Sequence, residues 1–458
     1  MTASTERRRL RPDAARAVAL DTVLAVSNRD AYANLILPRM LRDRGVTGRD
    51  AAFATELAYG TLRGTGTYDA VLSHCVDRPL ERLDPVVRAV LRMGTHQALG
   101  MRTAAHAAVS ESVGLARARI GDGPGRLVNA VMRRVVGHSL PDWIGILAPQ
   151  GTDQVRVLAL RHAHPDWIVR AFGDALGPAR AELPALLAAD NTPAKVTLVA
   201  RPGRSRVETL LEAGAEPGRW SPYAAVLPAG DPADIPAVAS GAAGVQDEGS
   251  QLVVQALAEA PLTGPDAQWL DMCAGPGGKA ALLAGLATKR DARLLALELQ
   301  EHRARLVTDA LGDAVGGHEV RVVDATDPAA VPEAQTDRVL VDAPCTGLGA
   351  LRRRPEPRWR RQPGDVPELR RLQAGLLRAA LRAVRPGGVV AYATCSPHLA
   401  ETRTVVGDVM RGRDDVEHID ARSLLPALPH LGDGPDVQMW PHRHGTDAMY
   451  LALLRRTS

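Results

Sequence analysis

The chain has 458 residues, 45% of them hydrophobic and 24% charged, with a net charge of +4. At about 150 residues per domain this is more than one core serves, and the balance excludes disorder of the bulk. Aromatic residues make up only 3%, so the cores must be built from Leu, Val and Ala, and a binder made of many aromatic stacking platforms is disfavoured.

In chain order, the first thirty residues are interrupted by Arg11, Asp13, Arg16 and Asp21. No later window approaches the roughly eighteen uninterrupted apolar residues of a membrane span, so neither a signal peptide nor a membrane anchor is expected. From 11 to 136, apolar residues recur at three- and four-residue spacing in AARAVALDTVLAV, AAFATELAYGTL, PVVRAVLRMGTHQAL and AAVSESVGLARA, which predicts successive amphipathic helices. Gly121-Asp122-Gly123-Pro124-Gly125 reads as a loop before a last helix, RLVNAVMRRVV, and this all-helical domain is placed at 1–145. A helical stretch running to about 190, a strand at 195–199, a helix in VETLLEAGAE and a strand in AAVLPAG then predict a small α+β module over 150–240. Nothing in it supplies the aromatic pair of an RRM-type sheet.

From 241 to 458 short strands (QWLDM, RLLALEL, VRVVD, DRVLVDA, GVVAYA) alternate with helical segments, which predicts an open, mostly parallel sheet covered on both faces. Ligands of such sheets lie at the carboxyl ends of the strands. There the first strand runs into Cys273-Ala274-Gly275-Pro276-Gly277-Gly278-Lys279, whose glycines allow close approach of a ligand to backbone. The next three strands end at Glu298, Asp324 and Asp342, so four consecutive strand ends carry polar groups suited to one nucleoside-like cofactor.

Cys345 and Cys395 follow neighbouring strands and are expected to face the same crevice. The four cysteines, with Cys75 and Cys273, form no CxxC pair and have no histidine at ligand spacing, so neither a disulfide framework nor a metal site is expected, and a reducing cytoplasm is. Only three basic residues are lysines; the other 53 are arginines. Arg352, Arg353, Arg354, Arg358, Arg360 and Arg361 cluster directly after the Cys345 motif, where guanidinium groups would grip phosphates at the crevice mouth.

DMCAGPGGK, DAPCTGLGALRRRPEPRW and ATCSP resemble motifs of the S-adenosylmethionine-dependent RNA cytosine-C5 methyltransferases. Glu56 with Tyr59-Gly60-Thr61-Leu62-Arg63, Leu91-Arg92-Met93-Gly94 with Gln97, and Asn129-Ala130-Val131 resemble the NusB-like RNA-binding domain, which narrows the likeness to the RsmB (Sun/Fmu) ribosomal RNA family. Gly275 and Ala280 depart from it, standing where the family more often has Ala and Thr. The resemblance implies a multidomain fold: an all-α NusB-like domain, a small α+β module, then an α/β Rossmann-like class I methyltransferase domain. It implies a monomer that methylates small-subunit ribosomal RNA from S-adenosyl-L-methionine held by residues 273–279, Glu298, Asp324 and Asp342.

Cytosine C5 is too weak a nucleophile to attack a methyl sulfonium, so a thiolate must first add to C6. A base must then remove the C5 proton. The resemblance makes Cys395 the nucleophile and Cys345 the residue that assists release, with Asp342 against the base and Lys279 favouring the thiolate. Transfer RNA as substrate, and a non-catalytic RNA-binding assembly factor, are the alternatives.

Overall fold

In the computed structural model, which describes residues 13–29, 31–312 and 317–458, the chain forms two units. One comprises the chain to Gly173 with Ala181–Asn191 and Arg353–Arg361; the other comprises Asp174–Arg180, Thr192–Arg352 and Gln362–Ser458. Arg11 lies outside the described residues. The stretch read as one α+β module is therefore divided: its helices belong mainly to the first unit and its strands to the second.

The helical unit is built on Ala14–Arg29, Ala33–Asp43, Gly48–Cys75, Pro85–Leu99, Ala105–Ile120 and Asp122–Val135. Their apolar faces meet in a core that includes Leu20, Leu57, Leu72, Val90, Leu91, Val128 and Met132. Asp84 caps the Pro85–Leu99 helix by accepting from the Val86 and Val87 amides at 2.8 and 3.3 Å. The predicted loop at 121–125 is shorter than expected: only Gly121, at φ 94°, breaks the chain, and Pro124 lies in the first turn of the next helix. Pro is tolerated there because first-turn amides have no helical partner. Gly60 is required by a close approach, since a Cβ on it would stand 2.0 Å from the His96 ring.

Arg353–Arg361 packs inside this unit, and the structure corrects the reading of Arg358 and Arg360 as phosphate-gripping residues. Arg358 is fully buried; it donates to the carbonyl oxygens of Ala163 (3.0 Å), Asp190 (3.3 Å) and Arg63 (3.4 Å), and to Asn191 Oδ1 at 2.7 Å. Arg360 Nη2 donates to the carbonyls of Val26 and Ala31 at 2.7 and 2.5 Å. Ala163 and Asp190 close the helices Gln154–His162 and Leu183–Ala189, and Val26 lies in the last turn of another. The arginines thus satisfy carbonyls that helix ends leave without partners, at the negative end of the helix dipole. Trp359 Nε1 donates to the Leu62 carbonyl at 2.8 Å, and Gly66 makes room for its ring. Arg354 is exposed, near the Tyr32 ring, while Arg353 and Arg361 are half-buried.

In the second unit, β1 (Val196–Ala200), β2 (Glu216–Pro217), β3 (Ala224–Leu227) and β4 (Ala243–Val245) make an antiparallel sheet in the order β2-β3-β1-β4. The larger sheet contains β5 (Gln268–Asp271), β6 (Arg293–Glu298), β7 (Glu319–Val322), β8 (Thr336–Asp342), β9 (Val384–Thr394), β10 (Val416–Ile419), β11 (Val437–Gln438) and β12 (Tyr450–Arg456). Its order is β10-β12-β9-β8-β5-β6-β7, with β11 pairing β12. The five strands from β5 to β9 are parallel, and the antiparallel β10, β11 and β12 were not anticipated. The chain moves outward from β5 through β6 to β7 and returns to β8 on the other side of β5, so the order reverses between β5 and β8. Crevices open at such a reversal, at the carboxyl ends of the strands. Among the described residues no helix is long and apolar enough to cross a membrane.

Arg358→Ala should lower the stability of the helical unit by about 3 kcal/mol, because buried acceptors lose a charged donor. Arg354→Ala should change it by less than about 0.5 kcal/mol. Denaturant midpoints followed by circular dichroism compare the two, and equal losses would contradict the structural role of Arg358.

Candidate active site

The crevice begins where β5 ends. Asp271 is buried; its Oδ1 accepts from the Cys273 amide at 3.2 Å, and its Oδ2 has no hydrogen-bond partner. Burial, reinforced by the charge of Asp342, pushes its carboxyl up to about 7. The following turn lies against the helix Glu301–Leu311, and Gly277, at φ 103°, has no space for a side chain: a Cβ would stand 2.6 Å from that of Ala310. The turn leads into the helix Gly278–Thr288, which carries Lys279.

Glu298, at the end of β6, is buried and tied to that turn. Its Oε2 accepts from the Gly275 amide at 3.1 Å and its Oε1 from the Gln300 amide at 3.0 Å. Arg303 lies 3.5 Å from Oε2 and donates to the Gly275 carbonyl at 2.6 Å. Asp324, two residues beyond β7, is exposed and accepts from the Thr326 amide and hydroxyl. Residues 273–279, Glu298, Asp324 and Asp342 thus all follow or end strands at one edge of the parallel sheet.

Lys279 Nζ donates to Asp342 Oδ2 at 2.7 Å. Burial opposes the ammonium charge, but the Asp342 partner outweighs it and holds Lys279 above its ordinary range. Because β8 and β9 are parallel neighbours with Asp342 opposite Ala393, the chain beyond each brings Cys345 Sγ to 3.5 Å from Cys395 Sγ. The thiols are inequivalent. The hydrogen bond between them lowers Cys395, helped by Lys279 against burial, Asp342 and Asp447. The same bond, burial and Glu401 raise Cys345. Of the pair, Cys395 is the thiol held lower, by its hydrogen bond with Cys345 and by the Lys279 ammonium.

Three further groups escaped the sequence reading of the site. Asp271 is one. Glu401 is another: it is fully buried beside both cysteine loops, and its place after Pro397-His398-Leu399-Ala400 offered no spacing signal. The third is a cluster around Arg352, whose Nη2 donates to the Gly445 carbonyl at 2.8 Å and lies 3.9 Å from both Asp247 Oδ2 and Asp447 Oδ1. Arg352 is therefore largely buried among this unit's own acceptors, which corrects its reading as a phosphate ligand.

Residues 260–455 match the family model described as 16S rRNA methyltransferase RsmB/F, and residues 13–137 match that of the NusB family. Ribosomal RNA small subunit methyltransferase B of Pseudomonas putida is 34% identical over 96% of this chain and 98% of its own. A Mycobacterium tuberculosis protein, Rv1407, named as a methyltransferase without a stated substrate, is 51% identical over 100% of both chains. The crystal structure of PH0851 covers 98% of this chain and 100% of its own with a TM-score of 0.81 at 22% identity, a likeness of fold.

At neutral pH iodoacetamide should modify Cys395 ahead of Cys345, and Lys279→Met should move the onset of Cys395 alkylation to higher pH by removing the cation that favours its thiolate. Peptide mass analysis across a pH series reads both; Cys345 reacting first would reverse the assignment.

Proposed function

Because this chain belongs to the RsmB/F family of 16S rRNA methyltransferases, with a NusB-family segment before the catalytic one, we propose that it methylates C5 of a cytosine in small-subunit ribosomal RNA through a covalent cysteine adduct. The 3.5 Å approach of Cys345 and Cys395 beside the Lys279–Asp342 pair supports this reading above all.

The family uses S-adenosyl-L-methionine as methyl donor, and the residues present suit it. Asp271 Oδ2 is a buried acceptor without a partner, appropriate to a cationic ligand. Glu298 would take the ribose hydroxyls, Asp324 the adenine side, and residues 273–279 the remainder. When bound, the donor supplies an electrophilic methyl group to C5.

The chain's own residues do the rest. Cys395 as thiolate forms the bond to C6 and pushes an electron pair towards C5. Asp342 accepts from the exocyclic amine at the pyrimidine edge, with the Lys279 ammonium balancing the charge that builds towards N3. After methyl transfer, Cys345, having passed its own proton to solvent, takes the proton from C5 as a thiolate. The electron pair then returns to form the C5–C6 double bond and expels the Cys395 thiolate. Arg354, exposed beside Tyr32, remains as a contact for an RNA phosphate.

Gly275→Ala should displace the Glu298 carboxylate, because a Cβ there would stand 2.2 Å from Oε2. Loss of a charged hydrogen bond of about 1.5–3 kcal/mol predicts S-adenosylmethionine affinity reduced by about 10- to 150-fold in calorimetry. Unchanged affinity would remove Glu298 from the cofactor site.

The two cysteines give opposite outcomes. Cys395→Ala should abolish methylation and any covalent adduct, whereas Cys345→Ala should leave methylated RNA attached to the protein through denaturing electrophoresis. Bisulfite sequencing of ribosomal and transfer RNA from a deletion strain locates the target. Adducts in neither cysteine variant would overturn the covalent route, and a lost transfer RNA site would overturn the substrate.

A further inference from the structure

Glu401 sits in the short helical turn Leu399–Glu401 that follows the Cys395 loop, and its side chain is fully buried. Its Oε1 accepts from the Thr346 amide at 2.8 Å and from Gln373 Nε2 at 3.1 Å. Its Oε2 accepts from the Thr346 hydroxyl at 2.5 Å and from the Ser396 hydroxyl at 2.7 Å. Thr346 and Ser396 are the residues immediately after Cys345 and Cys395, and their hydroxyls lie 3.1 Å apart. Gln373 Nε2 also donates to the Pro344 carbonyl at 2.8 Å, fixing the residue before Cys345. Tyr392 OH donates to the Glu401 carbonyl at 2.7 Å, fixing the turn itself.

Burying a carboxylate is costly unless its oxygens are well satisfied. Here four donors satisfy it, and three come from the residues that follow the two cysteines. A simple fold element would not need such convergence, since an apolar group of similar size would fill the space at less cost.

We propose that Glu401 is the positioning residue of the thiol pair: its carboxylate clamps the Cys345 loop to the Cys395 loop and so fixes the approach of the two sulfurs. This rests on the reading of Cys395 as nucleophile. The clamp also acts through charge, because Glu401 lies on the Cys345 side and disfavours a second thiolate there, while Lys279 acts on Cys395. The other ionisable groups facing the pair are Asp342 and Asp447 at Cys395 and Tyr392 and His398 near Glu401.

The test uses full-length Glu401→Gln, Glu401→Asp and Thr346→Val. Each is measured for methylation of small-subunit ribosomal RNA, melting temperature, S-adenosylmethionine affinity and the pH profile of iodoacetamide alkylation at each cysteine. Glu401→Gln should bind S-adenosylmethionine like the parent and methylate at least tenfold more slowly. Its Cys345 alkylation should begin at lower pH and that of Cys395 at higher pH, narrowing the order between them. Glu401→Asp should fail to rescue, because the shorter side chain cannot span both loops. Should Glu401→Gln not fold, Thr346→Val reports on the same clamp through the loss of one donor, with slower methylation and a narrowed alkylation order. Parent-like methylation and alkylation would overturn the proposal, as would slow methylation with a lowered melting temperature and an unmoved alkylation order, the mark of a purely structural role. If the parent itself methylates no ribosomal RNA, the functional reading fails, while the alkylation profiles still decide whether the clamp exists.

Discussion

Two sulfurs 3.5 Å apart do not both carry charge without strong mutual repulsion. The site therefore contains one thiolate at a time, and the surrounding groups decide where it resides. That decision is made by topology before it is made by chemistry. β8 and β9 are adjacent and parallel with Asp342 opposite Ala393, so the loops beyond them emerge side by side. The reversal of strand order between β5 and β8 then brings Lys279, on the helix after β5, against Asp342 at the end of β8. One cation, Lys279, thus acts on both the Asp342 carboxylate and the Cys395 sulfur, the two groups that the proposed mechanism sets against the base.

Buried polar groups recur in both units, and Arg358 and Glu401 offset their cost through several hydrogen bonds each. Arg358 lies among carbonyls that helix ends cannot satisfy themselves; burial pulls its guanidinium down to about 10, which leaves it charged at neutral pH. Such a group serves the helix-end carbonyls of Ala163 and Asp190 with charged donors. Its position directly after the Cys345 motif in sequence is what made it resemble a phosphate ligand. Sequence adjacency to a catalytic residue fixed neither its exposure nor the unit to which it belongs.

Much of the candidate site's placement was legible because it lies at strand ends that local patterning marks. Short Leu-rich or β-branched runs ending in Asp271, Glu298 and Asp342 announced the sheet, and the matched placement of Cys345 and Cys395 announced the crevice. The antiparallel strands β10 to β12 were not legible, since two of them are four residues or fewer and their pairing is set by long-range register. Nor was Glu401, whose partners lie 55, 28 and 5 residues away in the chain. Periodicity finds faces of elements; it does not find a carboxylate whose meaning arises only when two loops meet.

The glycine at 275 shows how a departure from a family pattern acquires a physical reason. Taken alone, a missing methyl group in a cofactor turn suggests a looser site. In the folded chain the missing methyl is occupied: Glu298 Oε2 and Arg303 Nε would lie 2.2 and 2.9 Å from a Cβ at that position. The carboxylate and guanidinium reach the turn's backbone from both sides, one accepting from the Gly275 amide and the other donating to its carbonyl. Interiors are packed densely enough that a side chain can approach backbone this closely only where a neighbour gives up volume. The glycine therefore tightens the link between the end of β6 and the turn after β5, and the two strand ends that frame the nucleoside site become a single hydrogen-bonded unit.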